Sequence, residues 1–150
     1  MDAYDELLEI LKDIDLMSQV RSLLGWDQEV LMPPKAATLR GEQLAWISRE
    51  SHRRKTSPRI GELLDELEEN SEWNEIERAN VRLAREAYVK ATKLPTEFVS
   101  EMARHNSKAV ISWTEAREKN DFSIFRDDLA KSIDFARKKA DYLGYETLRY

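Results

Sequence analysis

Apolar residues recur along this chain at intervals of three and four, and that spacing predicts helices throughout. In the first segment, about Ala3 to Leu31, the row Leu7, Leu11, Ile14, Met17, Val20 and Leu24 follows one face. Its next steps fall on Asp27 or Gln28, then on Leu31. A second row, Leu16, Leu23, Trp26 and Val30, widens that face and predicts a C-terminal half buried on more than one side. Pro33 and Pro34 end the helix, since neither offers a backbone N–H.

Five more helices follow from the same reasoning. The second, about Ala36 to Arg54, has small residues on one side (Ala37, Gly41, Ala45, Ser48) that allow a close neighbour. Ser57 and Pro58 read as the cap and first position of a short third helix, Arg59 to about Glu69. Asn70 and Ser71 read as the cap of a fourth, running to Leu94 with Ile76, Asn80, Leu83, Ala87 and Ala91 inward. Pro95 opens a fifth, in which Phe98, Met102, Ala109, Trp113 and Ala116 recur. After a break at Asn120 and Asp121, Ser123 reads as the cap of a sixth, and Gly144 fits a left-handed stop beyond Leu143. The fold class is therefore all-α, one domain over 1–150, with short connections that predict antiparallel hairpins.

Composition narrows what such a domain does. With 41% hydrophobic and 35% charged residues the chain reads as soluble and globular. A net charge of −5 gives no general reason to bind nucleic acid or an anionic membrane. There are no cysteines, which removes disulfides, thiol nucleophiles and thiolate metal sites. Without a long apolar run or a basic leader, the expected location is the cytoplasm.

Candidate chemistry is sparse. The two histidines, His52 and His105, lie in different helices, and no HExxH pair exists for a hydrolytic zinc. Glu101 and His105 stand one turn apart, a spacing that suits either a shared ion or an exposed pair, and the exposed pair is the simpler reading. No serine sits in a GxSxG elbow, and Gly25, Gly41 and Gly61 fall inside helical patterns rather than in a phosphate loop. The basic run His52–Lys55 suits a helix C-terminus. The eight acids from Glu62 to Glu77 read as a solvated face. Trp26, Trp46, Trp73 and Trp113 read as core.

Two stretches go further. LLGWDQEVLMPP (23–34), followed by RGEQLAWISRESH (40–52), and WTEAREKNDFSIFRDDLAKSID (113–134) stand in this order across the chain. Together they resemble the N-terminal part of the thermostable-type metallocarboxypeptidases, the carboxypeptidase Taq family. The resemblance implies a large, mostly helical fold with a long substrate groove, in which an HExxH-bound zinc removes C-terminal residues, and a homodimer. It covers the whole of this chain but about the first third of such a protein. The zinc ligands and general base fall outside it, so no catalytic residue and no cofactor is expected in these residues. The chain accordingly reads as a truncated product, a remnant or an engineered piece, inactive alone. The alternative is a free-standing helical binding or dimerisation module, with self-association or a catalytic partner chain expected.

Trp26, Asp27, Gln28, Trp113, Arg117 and Asp121 match the family blocks. They are expected either to line the groove wall or to hold the N-terminal helices together. Asp27 falls where the apolar row demands an inward residue, so it is expected to be mostly buried and ionised beside an arginine. Arg117, one turn beyond Trp113, is the first choice of partner and Arg40 the second.

Overall fold

The computed structural model describes residues 2–68 and 73–144. Among them there is no strand: six α-helices run α1 Ala3–Val30, α2 Ala37–Lys55, α3 Pro58–Glu68, α4 Glu75–Thr92, α5 Thr96–Lys119 and α6 Ser123–Leu143. A single 3-10 turn, Pro34–Ala36, joins α1 to α2, as the two prolines dictate.

Two packed regions make up the core. In one, Leu7 and Ile14 of α1 meet Ile60, Leu63, Leu64 and Leu67 of α3 and Val81 and Ala84 of α4. Leu63 and Leu64 are wholly buried, each stabilising the fold by about 1.5–3 kcal/mol relative to exposure. Tyr4 stacks on Trp73 at this end, and the Trp73 indole donates to the Leu67 carbonyl at 2.9 Å. In the other region α2 lies along α5, the most extensive pairing in the molecule. Gly41, Ala45 and Ser48 are buried there, as their small size predicts, and Gly41 faces Arg104 and Ser107. Helix α6 closes the far side of α5 with Phe135 against Phe98 and the His105 ring. Neighbours in sequence do pack (α1 on α2, α3 on α4, α5 on α6), but the main pairing is not sequential.

Several expectations fail in instructive ways. The second half of α1 is not buried on two sides: Leu16, Val20, Leu23, Trp26 and Val30 are all exposed, because α2 covers only one flank. Helix α4 begins later than expected. Its cap is Asn74, whose side chain accepts from the Ile76 and Glu77 N–H groups while Glu77 accepts from the Asn74 N–H, a capping box. The expected caps Asn70 and Ser71 lie outside the described residues. The inward face also differs from the expected one: Val81 and Ala84 pack against α1 and α3, while Ile76 and Leu83 are exposed. Three tryptophans expected in the core, Trp26, Trp46 and Trp113, are exposed. Helix α5 ends as expected at Asn120, left-handed at φ 50°, and Gly144 follows α6 at φ 78°.

Candidate functional site

The Pro33–Pro34 corner brings the last turn of α1 against the first turns of α2 and the middle of α5. Helix α1 ends without a basic residue in its last turn, where Asp27 adds negative charge to the negative pole of the helix. The missing cation comes from α2. The Arg40 guanidinium bonds both the Asp27 carboxylate and the Leu24 carbonyl, and its Nε donates to Gln43 at 3.0 Å. Asp27 is therefore paired with Arg40 rather than Arg117, and its side chain is 33% exposed against 12% for Arg40. The carboxylate is partly buried, as its place in the row predicts, and not enclosed, because α1 ends at the corner, where solvent reaches one side of it.

Gln28 makes the second link. Its amide nitrogen donates to the Ser107 carbonyl at 3.0 Å and its oxygen accepts from the Ser107 hydroxyl at 2.6 Å. These paired bonds dock α1 on α5. Beside them runs an open groove of about 600 Å³, lined by Gln28, Met32 and Pro34 on one wall and Val110, Trp113 and Glu118 on the other. Trp113 is 47% exposed, and the Arg117 guanidinium stacks 5.5 Å from its ring centre. Of the six residues singled out in the sequence, Gln28 and Trp113 thus line one groove, Arg117 flanks it and Asp27 holds the corner behind it. Trp26 and Asp121 do not line it. Trp26 is 53% exposed on α1. Asp121 caps α6, accepting from the Ser123 N–H at 2.9 Å and its hydroxyl at 2.6 Å, the reverse of the role expected of Ser123. Those bonds from Ser123 hold the Asp121 carboxyl below its ordinary range.

Sequence reasoning missed Ser107 and the pair Lys108–Asp128, 3.0 Å apart with the Asp128 carboxylate nearly buried. Burial pushes the Asp128 carboxyl up, but bonds from Lys108 and Ser112 outweigh it and the net shift is downward. Nothing in an alternating charged stretch marks Asp128 as the inward one. Arg40 had a signal: a cation in the first turn of a helix opposes the dipole unless another group claims it.

Both histidines are buried and already bonded. His52 bridges the Ala91 carbonyl at Nε2 (3.0 Å) and the Thr96 hydroxyl at Nδ1 (2.9 Å), which sets Nε2 as the protonated nitrogen. His105 Nε2 donates to Ser132, whose hydroxyl proton goes to the Asp128 carbonyl. Burial first, then the Lys55 cation at His52 and the Lys131 cation at His105, hold both pKa values below the ordinary 6.5. Among the described residues no three His, Asp or Glu side chains are placed to hold a metal ion. The donor set does not fit a catalytic zinc, which needs three protein ligands.

The chain belongs to the carboxypeptidase Taq (M32) metallopeptidase family, whose model matches residues 6–150. It is 33% identical over 144 residues to thermostable carboxypeptidase 1 of Thermus thermophilus, covering 94% of this chain and 28% of that one. To thermostable carboxypeptidase 1 of Pyrococcus furiosus it is 34% identical over 145 residues, covering 97% and 29%. The crystal structure of BsuCP superposes with a TM-score of 0.93 at 31% identity, over 97% of this chain and 30% of that one. A Pyrococcus furiosus carboxypeptidase structure in an apo-Mg form gives 0.75 at 33%, over 98% and 30%. The chain thus spans under a third of the length of these relatives.

Proposed function

We propose that these residues form the N-terminal helical wall of the substrate groove in a zinc metallocarboxypeptidase and do not hydrolyse peptides by themselves. The observation that carries this reading is a family match running along the whole chain with no HExxH in it. Catalytic zinc requires three protein ligands and an open position for water, and the two histidines here are spent on Thr96, Ala91 and Ser132. The groove beside Trp113, walled by Gln28 on α1, is the part of this chain that meets substrate or the rest of the fold. The test is to incubate the purified chain with a C-terminal-residue-release substrate in zinc or cobalt. No release is expected; release that co-purifies with the protein and stops with chelator overturns the proposal.

A second reading, a helical module that pairs with itself or with a catalytic partner chain, is favoured by a separate observation. Leu16, Val20, Leu23, Trp26 and Val30 form an exposed apolar strip along α1, the kind of surface that seeks a partner.

A further inference from the structure

A second cleft, separate from the groove beside Trp113, has a charge pattern unlike the rest of the molecule. It has two lobes. The larger, about 510 Å³ and open to solvent on one side, is walled by apolar side chains from α1, α3, α4, α5, α6 and the α4–α5 connection, among them Leu11, Ile60, Leu94, Met102 and Leu143. The smaller, about 350 Å³, is polar and includes Ser18, Ser48, Ser51 and Asn106. The lobes share His52, Lys55, Val99, Met102 and Lys139, so they meet where Lys55 and Lys139 stand.

Among the described residues the charged ones of the two lobes are Arg21, Lys55, Lys90 and Lys139, with no acid lining either lobe. In a chain with 29 acids against 24 lysines and arginines, that is a marked segregation. Among the described residues none of the four cations is in an ion pair, whereas ten other basic side chains are. His52, neutral and bonded on both ring nitrogens, adds no charge of its own. Clefts of a few hundred Å³ with apolar walls and a few convergent polar groups are the usual form of small-molecule sites.

We propose that this cleft binds an amphipathic monoanion, a linear alkyl carboxylate. Its chain lies in the apolar lobe, and its carboxylate sits where the lobes meet, between the Lys55 and Lys139 ammonium groups. The long lysine side chains suit this arrangement, since their methylenes extend the apolar wall while their charged ends stay wet. The site goes beyond the groove-wall reading and does not depend on it.

The test is calorimetric titration of the full chain with dodecanoate below its micelle concentration, beside dodecyltrimethylammonium, which has the same tail and the opposite charge. One dodecanoate per chain is expected, with the ammonium compound weaker by about tenfold or more, since charge complementarity selects between them. Lys55→Gln with Lys139→Gln should weaken dodecanoate by about tenfold, both lysines being exposed and their loss harmless to folding. Ala87→Trp, at an exposed wall position of the apolar lobe, should weaken it while circular dichroism reports an intact helical fold. Equal binding of the two ions, several molecules per chain, or unchanged affinity in the double variant overturns the proposal. So does binding of an acidic helical peptide without binding of dodecanoate.

Discussion

Asp27 shows how a single side chain reads differently once its neighbours are placed. Its row on α1 points inward, yet α1 ends three residues past it and the carboxylate meets Arg40 at a partly wet corner. Asp27→Ala should therefore lower stability by about 1–2 kcal/mol, below the scale of a fully buried pair, because Arg40 keeps its bonds to Leu24 and Gln43. Arg117→Ala, removing an exposed guanidinium, should change stability by no more than about 0.5 kcal/mol. Urea denaturation of the two variants checks both, and equal losses would contradict the pairing. The histidines set a pH dependence whose sign follows from their environment. Burial lowers both pKa values from 6.5, so the unfolded chain binds protons first as pH falls. Their contribution is complete above about pH 6.5 and is lost as pH drops through the lower folded-state values. Asp121 and Asp128, also depressed, act only below their ordinary 3.8. Urea midpoints measured from pH 7.5 to 5 should fall, and fall less in His52→Gln.

Among the helices, α1 and α4 respond most plainly to their local chemistry. Gly25 lies inside α1, where a Cβ would meet nothing within 4 Å. Gly25→Ala should stabilise the protein by about 0.8–1 kcal/mol, the helix propensity difference, read as a raised melting temperature. Helix α4 depends on its capping box, so Asn74→Ala should cost about 1 kcal/mol. The expected start at Asn70 and Ser71 was reasonable from residue type, since Asn, Ser and Asn are all good caps. What selects Asn74 is the Glu three residues on, together with the packing of Val81 and Ala84 on α3. Helix α2 was legible because small residues at regular spacing have one economical use, close approach to another helix. Its partner was not legible, because the same stripe fits any neighbour, and α5 stands far away in sequence.

For the whole molecule, the exposed strip on α1 carries a prediction: sedimentation at micromolar concentration should show self-association that weakens in Leu23→Lys with Val30→Lys, both on that strip. A monomer at every concentration would count against it. By itself the sequence determined the helical class, most helix boundaries, the corner at Pro33–Pro34 and the family. These depend on periodicity, on proline's missing N–H and on the order of motifs, all written along the chain. Tertiary structure alone decided that Arg40 and not Arg117 meets Asp27, and that Gln28 locks onto Ser107. It also decided that Trp113 opens onto a groove, and that four cations gather in one cleft with no acid beside them among the described residues. Helical periodicity tells which residues share a face, but two faces meet only when the helices carrying them are placed in space. Partners separated by tens of residues are for that reason invisible until the chain is folded.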